Sequence, residues 1–138
     1  MSVADLLATH AADSVCHLQT IGRLSGHPRT IEIWFATDSE RVYLLAGGRE
    51  RAHWVRNLIA DPHVRVRIGG RTLDATARVI EGEEREPIAR RLLAAKYQGW
   101  SEGRPLSRWA ANSLPVEITP ERPQSGAGGI GPIRSGGQ

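Results

Sequence analysis

The segment GRLSGHPRT, residues 22–30, concentrates groups that bind anions between two stretches rich in β-forming residues. Its two arginines, Arg23 and Arg29, carry a fixed positive charge and forked N–H donors that match a phosphate group. Ser25 and Thr30 add hydroxyl groups, and the glycines let the backbone turn tightly and bring amide groups close to a ligand. From these residues alone, the segment is either an ordinary solvent-exposed hairpin loop or a seat for phosphate or another anion.

A second glycine-containing segment, AGGRER at residues 46–51, follows a run of apolar, strand-like residues. Because glycine has no side chain, a flat ring could lie directly against the backbone amide groups at this position. The next segment, RAHWVRNLIA at residues 51–60, has the pattern of a short helix, with His53 and Asn57 one turn apart on the same side. The residues expected to share its buried face are Ala52, Val55, Leu58 and Ile59.

Several common kinds of catalytic site are absent from the sequence. The five histidines do not fall at the spacing of metal ligands, and the sequence has neither a G-x-S-x-G nucleophile motif nor a phosphate-binding P-loop. We therefore predict no metal ion, and we expect a cofactor to carry the difficult step if the chain is an enzyme. The single cysteine, Cys16, lies in a strand-like run and is predicted to be a buried thiol in a reducing cytoplasm.

Length and charge narrow the class of protein further. The 138 residues suffice for one domain with one modest core, and no apolar run is long enough to span a membrane. The net charge is +3, and all but one of the 18 basic residues are arginine. These arginines are spread among 15 acidic residues, so the basic balance does not by itself indicate a nucleic-acid surface.

The pattern of the chain predicts a mainly β protein, a small β-barrel of about six antiparallel strands with two main helices. The strands are expected at residues 14–21, 29–37, 41–46, 63–68, 71–80 and 114–119, the long helix at 83–97, and a short amphipathic piece around 106–111. Residues 1–13 form a lead-in, residues 14–119 the barrel domain, and residues 120–138 a Gly/Pro-rich tail that we expect to be disordered.

The hairpin around Gly69-Gly70 allows a prediction of register. A two-residue turn there pairs Arg65 with Asp74 on the outer face and Val66 with Leu73 inside. The residues expected to point into the core are Val64, Val66, Ile68, Leu73, Ala75, Ala77 and Val79.

Two other elements carry predictions about their faces. In the strand 41–46, Val42, Leu44 and Ala46 should face one way and Tyr43 and Leu45 the other, which is typical of a central strand. In the long helix, the expected apolar stripe consists of Ile88, Leu92 and Ala95.

The order and spacing of several motifs resemble the deazaflavin-dependent nitroreductase family, which belongs to the split β-barrel flavin-binding superfamily and uses coenzyme F420. The resemblance runs from about Leu18 to Pro120. Its motifs are G-R-x-S-G-x-P-R-T, W-x-x-N-L followed by D-P-x-V, and the G-G-R-T hairpin. One departure is the segment GGRERAHW, which is shorter than in many family members and affects the ring contacts most.

The resemblance implies roles for individual residues. Those implied to hold the phosphate end of the coenzyme are Arg23, Ser25, Gly26, Pro28, Arg29 and Thr30. Those implied to line the deazaflavin ring are Ala46, Gly47, Gly48 and Arg49, through their backbone, with Trp54 and Asn57 beside it. Tyr97, Trp100 and Trp109 are interpreted as lining the substrate side or belonging to the core, and Tyr97 or a water molecule as the proton donor.

The implied reaction is hydride transfer from the reduced deazaflavin to an electron-poor acceptor such as a quinone, a nitroaromatic or an enone. Three alternatives stay open at this point: an FMN-dependent reductase or oxidase of the same fold, a non-catalytic carrier of a flavin or tetrapyrrole, and a nucleic-acid-binding barrel. A homodimer is also expected, with Trp34, Tyr43 and Leu45 as candidates for its interface.

Overall fold

The computed structural model describes residues 2–121, which form one curled antiparallel sheet with helices packed against it. The strands are β1 (Cys16–Ile21), β2 (Pro28–Ile33), β3 (Ala36–Asp38), β4 (Arg41–Ala46), β5 (His63–Ile68), β6 (Arg71–Val79) and β7 (Leu114–Pro120). The helices are α1 (Val3–Thr9), α2 (His53–Ala60), α3 (Glu86–Gln98) and α4 (Arg108–Asn112), with a 3₁₀ turn at Arg49–Arg51. The predicted disorder of the tail concerns residues outside the described range, except that Pro120 ends β7 and Glu121 follows it.

The order of strands in the sheet is β2-β1-β5-β6-β7-β4-β3, and every pair is antiparallel. Its two edge strands, β2 and β3, are consecutive in the chain, so the chain crosses from one edge to the other through Trp34 and Phe35. The sheet therefore curls into a barrel that is open between β2 and β3. The predicted split β-barrel class is confirmed. Within residues 2–121, no helix is long and apolar enough to cross a bilayer.

The hairpin register is confirmed residue by residue. Arg65 lies opposite Asp74 and Val66 opposite Leu73, and Arg65 Nε lies 3.2 Å from Asp74 Oδ1. Five of the seven residues predicted to point inward are buried in the main core, and the other two, Leu73 and Val79, are partly buried against it. The alternation around the glycine turn therefore determines which face of the hairpin fills the barrel.

Strand β4 separates two apolar clusters, as its two apolar faces predicted. Val42 and Leu44 belong to the barrel core, while Tyr43 and Leu45 pack on the other side, under α3. The suggestion that Tyr43 and Leu45 reach an intersubunit surface is therefore wrong, because the chain's own helix already covers both. Trp34, by contrast, keeps 42% of its surface exposed.

The structure has seven strands where the sequence indicated six, because the run 29–37 divides at Trp34 and Phe35 into β2 and β3. Helix α1 was not predicted within the lead-in. It begins with a capping box, in which the Ser2 side chain accepts from the Asp5 N–H and the Asp5 side chain accepts from the Ser2 N–H. The apolar residues of α1 complete the barrel core, so the lead-in has a structural role.

Two predicted helix faces need correction. In α3, Ala89, Leu93 and Ala94 are the buried apolar residues, whereas Ala95 is exposed. In α2, Ile59 is exposed, whereas Asn57 is buried. The hydrophobic pattern alone could not show that a polar residue would take the more buried position on α2.

Candidate functional site

The loop between β1 and β2 is closed by its own backbone. The Gly22 N–H donates to the His27 carbonyl and the Gly26 N–H donates to the Gly22 carbonyl, both at 2.8 Å. Gly26 adopts a φ of +75°, which a residue with a side chain rarely accepts. The Ser25 hydroxyl oxygen accepts from the His27 N–H at 3.1 Å, so the loop has a defined shape.

A pocket of about 380 Å³ lies between this loop and helix α2. Its walls are Thr20, Gly22, Arg23, Leu24, Ser25, Arg29, Ile31, His53, Trp54 and Asn57. We call it the arginine pocket, because two arginines are its only permanently charged lining residues and no acidic side chain lines it within the described chain. Its volume lies in the range of pockets that bind small molecules.

Helix α2 holds Arg23 in this pocket. The Asn57 side-chain oxygen accepts from the Arg23 backbone N–H at 3.2 Å and from Arg23 Nη1 at 2.8 Å. Arg23 Nη2 lies 3.3 Å from His53 Nδ1, one turn earlier on the same helix. The predicted proximity of His53 and Asn57 on one side of α2 thus places two acceptors against a single guanidinium group.

Arg29 is held more loosely. Its Nη2 donates to the Ser25 hydroxyl oxygen over 3.4 Å, and its side chain lines the pocket. Within residues 2–121, neither Arg23 nor Arg29 has a carboxylate within ion-pair distance. Two fixed positive charges without a counter-charge in one pocket are suited to binding an anion.

Not every residue implied to hold the phosphate faces the arginine pocket. Arg23, Ser25 and Arg29 do, but Gly26 and Pro28 line a separate pocket of about 430 Å³ on the other side of the loop. Thr30 lines another depression, together with Arg65 and Arg67 on the outer face of the sheet. The structure therefore brings three of the six residues together.

The glycine pair after β4 lies apart from the arginine pocket. A side chain added at Gly47 would lie 3.6 Å from the Trp109 ring, and Ala46 is buried beneath this segment. A side chain added at Gly48 would meet Ala52, at 3.7 Å. Trp54 lies between the two regions, because it lines the arginine pocket and also packs against the apolar cluster that contains Ala46.

Arg49 is occupied by contacts within the chain. Its Nη1 donates to the Asn112 carbonyl and its Nη2 to the Glu81 carboxylate, both at 2.6 Å. The hydrogen bond with Glu81 raises the pKa of Arg49 above its usual value. This guanidinium therefore joins the glycine segment to the end of α4, and its charge is already neutralised.

Tyr97 has a hydroxyl group that is bound to backbone. It accepts from the Phe35 N–H at 3.1 Å and donates to the Ser14 carbonyl at 2.8 Å. The neighbouring Lys96 Nζ donates to the Phe35 carbonyl at 2.8 Å. Burial raises the pKa of Tyr97 and lowers that of Lys96. The end of α3 thus binds the backbone where β2 and β3 separate.

The aromatic residues proposed for the substrate side form one cluster and one separate contact. Trp34 stacks on Tyr97 with the ring centres 4.3 Å apart, and Trp109 meets Trp34 edge-on at 5.4 Å. Trp100 lies apart, with its indole N–H donating to the Arg104 carbonyl at 2.7 Å. The Trp34–Tyr97–Trp109 cluster borders the glycine segment through Trp109.

The sequence did not identify several residues that line the arginine pocket, among them Thr20, Ile31 and His53. The one-turn spacing of His53 and Asn57 was the available signal for His53. Thr20 and Ile31 gave no such signal, because their positions depend on which face of β1 and β2 turns toward α2. Across residues 2–121, no group of three His, Cys, Asp or Glu side chains could hold a metal ion.

Comparison with solved structures places the fold among known ones. The chain is 29% identical to an F420-H2 dependent reductase (FDR-A), with 78% of this chain and 94% of that chain covered and a TM-score of 0.56. It is also 29% identical to a protein solved as a domain-swapped dimer, with 78% and 80% covered and a TM-score of 0.57. A protein of Listeria innocua named for pyridoxamine 5′-phosphate oxidase shares the fold at 21% identity, with 86% and 93% covered and a TM-score of 0.63.

A family model extends this similarity over most of the chain. The model of the F420H(2)-dependent quinone reductase family matches residues 5–117, a range that begins within α1, includes the whole arginine pocket and ends within β7. The match therefore covers the loop, α2 and the split sheet together rather than a single motif. On this evidence the chain belongs to the F420H(2)-dependent quinone reductase family.

Proposed function

We propose that this chain is an F420H2-dependent reductase whose arginine pocket binds the phosphate of the coenzyme. The observation that carries the proposal is the pairing of Arg23 and Arg29 in a pocket that has no acidic lining residue. Two guanidinium groups can donate charge-assisted hydrogen bonds to the oxygens of a phosphate, and the Ser25 hydroxyl adds a further polar group. Family membership makes coenzyme F420 the first ligand to test.

The rest of the coenzyme would extend from this pocket along Trp54 toward the glycine segment. Ala46, Gly47, Gly48 and Arg49 are proposed to face the deazaflavin ring through their backbone. The residues present fit such a ligand, because Trp54 and Ile31 give the pocket an apolar wall beside its cationic groups. Gly26, Pro28 and Thr30 are proposed to shape the loop or to contact the more distal part of the molecule.

When bound in reduced form, the coenzyme would supply a hydride, and the proposed acceptors are electron-poor molecules such as quinones, nitroaromatics and enones. The protein's tasks are then to hold the coenzyme, to orient the acceptor and to exclude water. The Trp34–Tyr97–Trp109 cluster beside the glycine segment is our candidate for the acceptor's apolar contact. Because the Tyr97 hydroxyl is bound to Ser14 and Phe35, we propose that water provides any proton required.

A homodimer is proposed as the assembly. It is supported by the domain-swapped dimer among the similar structures and by the exposed indole of Trp34. A cytoplasmic location is proposed from the single buried cysteine, whose pKa burial raises to about 12 and which is therefore unreactive.

The test is to titrate the purified protein separately with coenzyme F420, FMN and NADPH and to measure fluorescence quenching during each titration. Saturable binding of F420 with weaker or absent binding of the other two supports the proposal. Oxidation of F420H2 by a quinone would then establish turnover. Tighter binding of FMN would favour an FMN-dependent enzyme, and F420 binding without oxidation by any acceptor would favour a carrier.

A further inference from the structure

The two arginines of the arginine pocket are held very differently, and we infer that Asn57 is a positioning residue that fixes Arg23 for anion binding while Arg29 adjusts to the ligand. This inference rests on the proposed function, because it concerns the same pocket. It assigns Asn57 a role through Arg23, in place of the ring contact implied by family resemblance.

The first step is the contact between Asn57 and Arg23. A single side-chain oxygen accepts from both the backbone N–H and the guanidinium of the same arginine, at 3.2 and 2.8 Å. These two bonds define the position of both ends of the Arg23 side chain relative to α2. His53 Nδ1, at 3.3 Å from Nη2, adds a third contact from the same helix. Arg23 is therefore ordered before any ligand arrives.

The second step concerns the orientation of the Asn57 amide. Arginine has only donors, so the Asn57 oxygen must face Arg23 and the NH₂ group must point away. The structure gives that NH₂ group an acceptor, the Thr20 hydroxyl oxygen at 3.1 Å. Asn57 and Thr20 are 4% and 1% exposed, so this bond is shielded from competing water. A neutral amide thus holds a cation without cancelling its charge.

The third step is the contrast with Arg29 at the start of β2, whose guanidinium has one long hydrogen bond among the described residues, 3.4 Å to the Ser25 hydroxyl oxygen. Ordering a long side chain at the moment of binding costs affinity, and a side chain that is already ordered avoids that cost. The fixed arginine consequently defines where the anion sits, and the loosely held arginine closes on it from the loop side.

The experiment measures the affinity for coenzyme F420 in Asn57→Ala, in Arg23→Ala and in the double variant. We expect Asn57→Ala to weaken binding roughly five- to tenfold, the effect of one side chain that must be ordered on binding. In the Arg23→Ala background the same change should cause no further loss, because Asn57 acts through Arg23. Equal losses in both backgrounds would overturn the inference.

A second arm replaces the neutral amide by a carboxylate. Asn57→Asp should keep Arg23 in place but neutralise its charge, so affinity should fall at least as far as in Asn57→Ala. Affinity retained at the wild-type level in Asn57→Asp would show that binding does not need an uncancelled charge on Arg23, and would overturn this part of the inference. Arg91→Ala is the control for the change in net charge, because it removes a positive charge from an exposed position of α3 that does not line the pocket, and it should leave the affinity unchanged.

A third arm needs no ligand. The Arg23 Nε–H resonance of the ligand-free protein should report a rigid side chain in the wild type and a flexible one in Asn57→Ala, while the Arg29 resonance should be flexible in both. This arm separates the two ideas: absent F420 binding would refute the proposed function alone, whereas a flexible Arg23 in the wild type would refute the positioning role. If Asn57→Ala does not fold, Thr20→Val removes the acceptor that orients the amide and should loosen Arg23 in the same way.

Discussion

Two regions within residues 2–121 bring arginine side chains together in different ways, because acidic side chains surround the arginines in one region and not in the other. Around Glu117 of β7, three arginines approach a single buried carboxylate, with N···O distances of 3.5 Å to Arg41, 3.4 Å to Arg78 and 3.7 Å to Arg85. In the arginine pocket, two arginines face a cavity with no acidic lining residue among those described. The same residue type thus serves opposite electrostatic situations.

The Glu117 region is neutral when its outer acids are included. Arg78 also meets Glu83 at 2.8 Å, and Arg85 lies 3.7 Å from Asp38. Glu117 itself is only 3% exposed, and one of its oxygens has no hydrogen-bond partner. The buried charge is compensated by proximity to cations rather than by close hydrogen bonds. Such a cluster has no charge left with which to attract a ligand.

The comparison teaches that counter-charge, and not the number of arginines, indicates a binding site in an arginine-rich chain. Composition alone could not separate the two groups, since nearly all basic residues here are arginine. The structure separates them by whether a carboxylate is near. Each variant below tests one side of this distinction, from the largest expected effect to the smallest.

The largest effect should come from placing a carboxylate where no arginine surrounds it. Val66→Asp introduces a charge at a fully buried position of β5, in the barrel core. We expect the free energy of unfolding to fall by about 3–5 kcal/mol, the usual cost of an uncompensated buried charge. Urea denaturation measures it, and Arg67→Asp, at an exposed position of the same strand, should change stability little. An unchanged midpoint for Val66→Asp would contradict the assigned core.

The next effect concerns binding rather than stability. Arg23→Ala and Arg29→Ala should each weaken F420 binding by about 1.5–3 kcal/mol, or roughly ten- to a hundredfold, the strength of a charged hydrogen bond. Lysine at either position should restore only part of the affinity, because it keeps the charge but loses the fork. Without ligand, the unfolding midpoint of Arg29→Ala should stay constant or rise slightly, since one of two like charges is removed from the empty pocket. Arg23→Ala also loses the bond from Arg23 Nη1 to Asn57, so its midpoint should fall slightly.

The control for these variants is Arg71→Ala, which removes an exposed arginine from the start of β6. It should leave the affinity for F420 unchanged. If Arg23→Ala and Arg29→Ala bind as tightly as the wild type, the loop is an ordinary hairpin connection and the pocket has another use.

A smaller effect should follow from removing the central charge of the other region. Glu117→Gln is expected to lower the free energy of unfolding by about 1–2 kcal/mol, between the values for exposed and buried ion pairs, because the arginines themselves are partly exposed. Glu83→Gln removes a shorter contact, 2.8 Å to Arg78, but at an exposed site, and should cost less than about 0.5 kcal/mol. Thermal unfolding of both variants shows whether burial or a short N···O distance contributes more to the stability of an ion pair. A larger loss of stability for Glu83→Gln than for Glu117→Gln would contradict our interpretation that burial matters more.

The smallest effect tests the shape of the loop that carries the unpaired arginines. A Cβ at position 22 would lie 2.7 Å from the Ser25 hydroxyl oxygen, 3.2 Å from the His27 carbonyl oxygen and 3.4 Å from Arg29 Nε. Gly22→Ala should therefore push Ser25 away and weaken F420 binding by about 1 kcal/mol or less, the value of a single neutral hydrogen bond. In a Ser25→Ala background the same change should cause a smaller further loss, because only the contact with the His27 carbonyl remains. A full additional loss there would assign the effect to the backbone.

Much of the sheet could be predicted because local signals agreed. Around Gly69-Gly70 the turn residues, the alternation and the Arg65–Asp74 pair all require the same register. The division between β2 and β3 had no such signal, since Trp34 and Phe35 continue a β-rich run. Where the run divides, the backbone of Phe35 is hydrogen-bonded to Tyr97 and Lys96 of α3. These residues are distant in sequence, so the local pattern gives no sign of the contact.

The candidate site was predictable in part for a similar reason. Arg23, Ser25 and Arg29 lie in one short segment, so their proximity follows from chain connectivity alone. Thr20 and His53 enter the pocket only because β1 packs against α2, and that contact depends on the whole barrel. The Ser2 and Asp5 capping box of α1, by contrast, was visible in the sequence and would have indicated the first helix.

The opening between β2 and β3 gives the barrel a reporter of local unfolding. The Phe35 amide hydrogen is bonded to the Tyr97 hydroxyl rather than to a neighbouring strand, so it becomes free to exchange with solvent deuterium whenever the end of α3 undocks. Val42 of β4 lies between Thr37 of β3 and Ile118 of β7, so its amide should exchange only when the sheet itself opens. Tyr97→Phe should therefore speed deuterium uptake at Phe35 while leaving Val42 protected, and this difference would measure how tightly one helix closes an otherwise open sheet.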